Sequence, residues 1–177
     1  MQKVGERYRS RNWLPGVILA ATLMACSGGD KPPADQDAAA AGPVASTEQV
    51  PGQQAYQLCA TCHQQNGEGL PGAFPPLAGG EFANASNVAV PIRILLHGIA
   101  GPVTVKGQQY NSVMPAYGTG VEMSDQEVAD VLTYVRSSWG NSASAVTAED
   151  VAKVRATPRE ATGPVSAEEL EAMMTAG

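Results

Sequence analysis

The chain has 177 residues, of which 11 are basic and 17 acidic, so its formal net charge is −6. This acidic balance argues against a nucleic-acid partner and favours pairing with a basic patch on another protein. The length suits one compact domain, and because only 5% of the residues are aromatic, a core built from protein alone would be lean.

The N-terminus has the features of a targeting segment, which we assign to residues 1–25. Basic residues precede an apolar run from Trp13 to Ala25 that is too short to span a bilayer comfortably. The run ends in Leu23-Met24-Ala25-Cys26, which resembles the lipobox of bacterial lipoproteins. We therefore expect Cys26 to become the lipidated first residue. The alternative is an ordinary cleavage site that happens to precede a cysteine.

Residues 26–49 are expected to form a flexible linker, because their Pro, Ala and Gly residues show no apolar periodicity that could be buried. A chain lipidated at Cys26 would be tethered to the periplasmic side of the cell membrane or to the outer membrane. The linker would then give the following domain, predicted over residues 50–141, its reach. Residues 142–177 are predicted to form an acidic C-terminal extension.

Cys59-Ala60-Thr61-Cys62-His63 is the attachment signature of a c-type haem. Cys59 and Cys62 lie one turn apart on a helix, so both sulfurs can form thioethers with the vinyl groups of one porphyrin. His63 then offers a neutral imidazole nitrogen to the iron. A redox cysteine pair or half of a zinc site is disfavoured, because no βαβ pattern is visible and only one further Cys and one further His exist. We predict one covalent haem c.

Two helices are predicted to cross beside this motif. The first runs from about Gly52 to Cys62, and Gly52-Gln53-Gln54-Ala55-Tyr56 resembles the G-x-x-x-aromatic helix of class I c-type cytochromes. In that family the glycine lets the first helix approach the last one closely. The last helix is predicted to start at the capping box Ser124-Asp125-Gln126-Glu127. Tyr134 is the predicted aromatic contact, and the apolar face comprises Val128, Val131, Leu132, Val135 and Trp139.

The loop after the haem motif contains Phe74-Pro75-Pro76-Leu77-Ala78-Gly79, which is similar to a loop in cytochrome c subunits of membrane dehydrogenases. An iron-bound histidine needs an acceptor for its other ring N–H. In class I cytochromes a backbone carbonyl in a Pro-x-Leu context is that acceptor. The resemblance points to Pro75, with Pro76 as the neighbouring candidate. Alternatively, these prolines only stiffen the loop.

A middle helix is predicted over Val88 to His97, ended by Gly98, with an apolar face toward the haem formed by Ile92, Leu95, Leu96 and Ile99. His97 could be a sixth ligand, but its place at a helix end beside Gly98 favours a role in stabilising that end or in contacting groups at the haem edge. The surrounding pattern also resembles the dehydrogenase-associated group, in which the sixth ligand lies elsewhere.

A small hairpin is predicted from Val103-Thr104-Val105 and Gln109-Tyr110, and it leads into Met114-Pro115. Class I cytochromes place the axial methionine in such a loop before the last helix, so the resemblance implies that Met114 is the second iron ligand. The rival, Met123, directly precedes the Ser124 N-cap, where an apolar residue commonly packs as a staple.

Two further helix starts are predicted in the C-terminal extension, at Thr147 and Ser166. The helix after Ser166 is expected to be loose, which makes Met173 and Met174 poor candidates for iron ligation.

The resemblance implies an all-α cytochrome c fold, with three main helices around one haem, a small hairpin and a short helical extension. With His63 and Met114 both bound, the iron would have no open position. We therefore expect one-electron transfer between membrane-associated or periplasmic redox partners, such as a dehydrogenase or terminal oxidase, rather than enzyme catalysis. Two alternatives stay open: a haem enzyme or gas-binding protein with a displaceable Met114, and a fixed electron-transfer subunit of a dehydrogenase complex.

Overall fold

The computed structural model describes residues 50–117 and 123–176. The predicted targeting segment, Cys26 and the linker lie outside these residues. The elements, in chain order, are α1 (Tyr56–His63), α2 (Ala89–His97), β1 (Val103–Val105), β2 (Gln108–Tyr110), α3 (Asp125–Ser137), α4 (Ala148–Ala156) and α5 (Ala167–Thr175). Within the described ranges, none of the helices has both the length and the hydropathy to cross a membrane.

Residues at the start of α1 make the contact with α3. The helix begins at Tyr56 rather than at the predicted Gly52, because Gly52 has a φ of +85°, outside the helical region. The backbone of Gly52 lies against α3, since a Cβ there would be 2.0 Å from the carbonyl oxygen of Asp130. The ring of Tyr56 packs on Tyr134, the predicted aromatic contact, with 5.4 Å between centroids. These contacts set the crossing of the two helices.

The capping box predicted for α3 is present. The Ser124 hydroxyl accepts a hydrogen bond from the Glu127 N–H, and the Glu127 carboxylate accepts one from the Ser124 N–H at 2.8 Å. The far end differs from the prediction, because α3 ends at Ser137 and Trp139 lies beyond it with a φ of +53°. The chain reverses at this point, so the Trp139 ring packs on Tyr56 at 4.9 Å without being part of the helix.

The middle of the chain follows the predicted pattern of burial, but the predicted face of α2 toward the haem was only partly right. Leu95 and Ile99 line the cavity described below, whereas Ile92 and Leu96 do not, and Ile94 lines it instead. Gly98, with a φ of +72°, ends α2, and the four predicted apolar positions of that helix and its end are buried: Ile92, Leu95, Leu96 and Ile99. The two strands pair antiparallel, with Val103 opposite Tyr110. Their buried side chains, Val103, Val105 and Tyr110, form a second core cluster together with Ile99.

The C-terminal extension packs on the rest of the described fold. Both predicted helix starts are capped, by Thr147 and by Ser166. Val151 of α4 is fully buried and belongs to the core cluster of α1, α2 and α3. The expectation of a loose last helix was wrong, because Leu170 is also fully buried and anchors α5 in the cluster beside the hairpin.

Candidate functional site

An apolar cavity opens among α1, α2, the hairpin and the loop that carries Met114. The space among its lining residues measures about 880 Å³, a figure that includes open solvent at its mouth. A second lobe of about 570 Å³, again with open solvent included, extends to α3. The two lobes adjoin, because seven residues line both: Cys59, His63, Leu77, Phe82, Ala83, Ile94 and Met114.

Helix α1 places the two cysteines of the motif on the wall of this cavity. Cys59 and Cys62 are separated by three positions, so they lie one turn apart on the same face. Both thiols are free, and burial raises the pKa of Cys59 to about 11. The pair can present two sulfurs along one edge of a flat ligand.

His63 is held in one orientation by the loop that follows it. Its Nδ1 lies 2.9 Å from the carbonyl oxygen of Pro75, the acceptor that the resemblance to class I cytochromes implied. A carbonyl oxygen only accepts, so Nδ1 carries the ring proton and Nε2 keeps a free lone pair. Burial lowers the pKa of His63, which favours the neutral ring. A neutral imidazole with its N–H engaged is the form in which histidine binds metals.

Met114 also lines both lobes of the cavity, and its backbone is paired with Ile99 at the end of α2. The Met114 N–H donates to the Ile99 carbonyl at 2.9 Å, and the Ile99 N–H donates to the Met114 carbonyl at 3.1 Å. Gly98 permits this approach, because a Cβ at that position would lie 2.4 Å from the Met114 carbonyl oxygen. The chain segment with Met114 is thereby fixed beside the cavity.

The other candidate ligands lie away from the cavity. His97 lines neither lobe, and burial together with the nearby Arg159 and Arg93 lowers the pKa of its ring. Met123 lines neither lobe and packs against the core of α1, α2 and α3. The two C-terminal methionines pack in the cluster beside the hairpin. Of the ligands considered from the sequence, only His63 and Met114 therefore reach both lobes.

Arg136 was not singled out by the sequence analysis, although it is the largest fully buried side chain of the described residues. Its Nη1 donates to the carbonyls of Ala83 at 2.8 Å and Ala85 at 3.0 Å, and its Nε donates to the carbonyl of Ser144 at 2.6 Å. The side chain also lines the second lobe. The sequence did indicate that Arg136 is unusual, because it lies one turn after Leu132 in the apolar stripe of α3. A charged side chain at such a position is expected to be buried rather than solvated.

Asn141 was also not identified as a site residue, and it ties the loop around the cavity to α3. Its side-chain oxygen accepts hydrogen bonds from the Gly79 N–H at 2.8 Å and from Asn84 Nδ2 at 2.9 Å. Its Nδ2 donates to the carbonyls of Leu77 at 3.0 Å and Val135 at 2.7 Å. The sequence indicated this role only weakly, because an asparagine just after a helix usually stabilises only the local turn.

These residues fit a covalently attached haem. The site offers two thiols one helical turn apart, a neutral imidazole with its acceptor, the thioether of Met114 and an apolar lining. Residues 50–117 and 123–176 contain no cluster of three His, Cys, Asp or Glu side chains that could hold a metal ion alone.

Comparison with known proteins gives an independent result. The family model for cytochrome c matches residues 49–139. The chain is 41% identical over 116 residues to cytochrome c-552 of Thermus thermophilus, covering 61% of this chain and 86% of that protein. It is 38% identical over 115 residues to the cytochrome c subunit of alcohol dehydrogenase (quinone) from Gluconacetobacter polyoxogenes, covering 63% of this chain and 24% of that subunit. The cytochrome c subunit of gluconate 2-dehydrogenase from Pantoea cypripedii is 42% identical over 101 residues, covering 55% of this chain and 22% of that subunit.

Proposed function

Because this chain belongs to the cytochrome c family, it binds a covalent c-type haem and serves electron transfer, and we propose which residues carry that function. Cys59 and Cys62 form the two thioethers, and His63 and Met114 are the iron ligands. When bound, the haem supplies a one-electron redox couple. The protein itself holds this group, orients its ligands and keeps water out.

The observation that carries the proposal is the meeting of His63 and Met114 on the walls of both lobes. The Pro75 carbonyl fixes the His63 ring through the 2.9 Å contact with Nδ1, which keeps Nε2 available as a ligand atom. Two protein ligands leave the iron no open position. The same site therefore supports electron transfer rather than enzyme catalysis or gas binding.

We expect the Met114→Ala holoprotein to lose the sulfur-to-iron charge-transfer absorption band of the ferric wild-type protein. Removal of the thioether also opens an iron position, so the reduced variant should bind carbon monoxide rapidly, whereas the wild-type protein should not. Absorption spectroscopy measures both effects.

Met123→Ala is the matched control, because Met123 lies outside both lobes and should be dispensable for the band. Wild-type protein that binds carbon monoxide as fast as the Met114→Ala variant would favour the haem enzyme or gas-binding alternative.

We also propose that Cys26 is lipidated and anchors the protein on the periplasmic side of the cell membrane or in the outer membrane. Support comes from the apolar run that ends in Leu23-Met24-Ala25-Cys26 and from the linker-like composition of residues 26–49. On this proposal the domain is a carrier that reaches redox partners through a flexible linker. Its net negative charge favours association with proteins that carry a basic patch. We propose a dehydrogenase or a terminal oxidase as such partners.

We expect Cys26→Ser to move the haem protein from the membrane fraction to the soluble periplasmic fraction, because the acyl chains that hold it would be absent. Cell fractionation followed by haem staining measures the shift. A variant that stays in the membrane fraction and co-purifies with a dehydrogenase would instead support a fixed subunit of such a complex.

A further inference from the structure

The segment next to Met114 is paired on both of its edges. On one edge, Ile99 exchanges two backbone hydrogen bonds with Met114, at 2.9 and 3.1 Å. On the other edge, the Val165 N–H donates to the Gly98 carbonyl at 2.9 Å, and the Ala100 N–H donates to the Val165 carbonyl at 3.4 Å. Ile99 is therefore the middle of three adjacent chain segments, antiparallel to Met114 and parallel to Val165.

Helix α5 holds Val165 in this position. Val165 and Leu170 are both fully buried in the cluster that also contains Ile99 and the hairpin side chains. Glu169 accepts hydrogen bonds from Arg159 at 2.9 and 2.6 Å and lies 3.9 Å from Arg93 of α2. The C-terminal segment is thus attached to the fold by apolar burial and by ion pairs as well as by the backbone pairing.

This arrangement bears on how easily the Met114 segment opens. A pair of short chain segments is only marginally stable by itself, whereas a third paired segment and an apolar face make the unit more stable. Local opening of a ligand-bearing loop depends on such contacts, and it occurs at a lower free energy than unfolding of the whole domain. Val165 adds the third segment.

We propose that Val165 is a positioning residue for Met114, acting through Ile99. The inference rests on the proposed ligation of the iron by Met114. Val165 lines neither lobe of the cavity, so it acts on the site only through the paired backbone. The C-terminal segment then restrains the departure of Met114 from the iron, and loosening it exposes the iron to external ligands.

Binding of imidazole to the ferric, full-length holoprotein tests this proposal, because imidazole enters when Met114 leaves. Val165→Pro removes the N–H that donates to Gly98, whereas Val165→Ala keeps this donor and only trims the side chain. We expect Val165→Pro to bind imidazole roughly tenfold faster than Val165→Ala, the order of effect that loss of one buried hydrogen bond produces.

Amide hydrogen exchange in the same variants separates this effect from general destabilisation. The amides of Ile99 and Met114 should exchange faster in Val165→Pro than in the wild-type protein. The exchange of the Val151 amide, in the core of α4, should be accelerated much less. Equal acceleration at all three amides, with imidazole binding no faster than in Val165→Ala, would overturn the proposal.

A second pair of variants keeps the test decisive if Val165→Pro yields too little holoprotein. Leu170→Ala loosens the buried anchor of α5, and Glu171→Ala, at an exposed position of the same helix, is its control. Leu170→Ala should accelerate imidazole binding severalfold relative to Glu171→Ala. Unchanged rates together with a normal charge-transfer band would refute the positioning role alone. Absence of that band from the wild-type protein would refute ligation by Met114 itself.

Discussion

Gly52→Ala is expected to lower the free energy of unfolding by about 3 kcal/mol, the combined cost of a left-handed non-glycine residue and an overpacked contact. Gly52 has a φ of +85°, and a Cβ there would lie 2.0 Å from the Asp130 carbonyl oxygen and 2.7 Å from the Val131 nitrogen. Both are backbone atoms of α3, so no side-chain rotation can relieve the overlap. The chain at the start of α1 must move away from α3, and with it the wall that carries Cys59 and His63.

Gly140→Ala is a matched control for this substitution. Gly140 has a φ of +84°, almost the same as Gly52, yet a Cβ there would meet nothing within 4 Å. It should therefore show only the conformational cost, about 1 kcal/mol. Denaturant unfolding of the two holoproteins, followed by circular dichroism, gives the difference. Equal losses in the two variants would show that the close contact with α3 contributes nothing to stability.

Arg136→Met is expected to destabilise the fold by about 3 kcal/mol, because a buried acceptor left without its donor costs about 1 to 3 kcal/mol. The substitution leaves the carbonyls of Ala83, Ala85 and Ser144 without the donors that they have at 2.6–3.0 Å. Met is also long and flexible, so it fills much of the same space. Unpaired polar groups, rather than an empty cavity, would cause most of the loss.

Arg155→Met provides the comparison at the surface. Arg155 also bonds a partner at 2.6 Å, the carboxylate of Asp125, but both side chains are about one third exposed. An ion pair of this kind contributes about 1 kcal/mol or less. Arg136→Lys should be intermediate, because Lys keeps the charge but loses the planar fork that reaches separate carbonyls. If denaturant unfolding gave similar losses for Arg136→Met and Arg155→Met, Arg136 would not be the anchor that its contacts indicate.

The parts of the site that the sequence predicted are those with a local signal. Cys59, Cys62 and His63 form one contiguous motif, and α1 brings them to one wall without help from distant residues. The capping box at Ser124 needs only four consecutive residues, and Gly98 ends α2 by its own conformation. The roles of Pro75 and Met114 came from the resemblance to class I cytochromes, and the structure places both beside the same cavity.

The sequence by itself determined the helices, the hairpin and the haem motif. Hydrophobic periodicity, helix caps and contiguous motifs depend on residues within one or two turns of each other, so they can be recognised without the tertiary structure. Tertiary structure alone decided the roles of Trp139, Arg136 and Val165. Trp139 packs on Tyr56 from outside its helix, and Arg136 bonds carbonyls more than fifty positions earlier in the chain. Val165 joins a backbone edge 66 positions away, at Ile99. These contacts form because polar groups and backbone edges from distant parts of the chain are buried together. A short stretch of sequence cannot predict which groups those are.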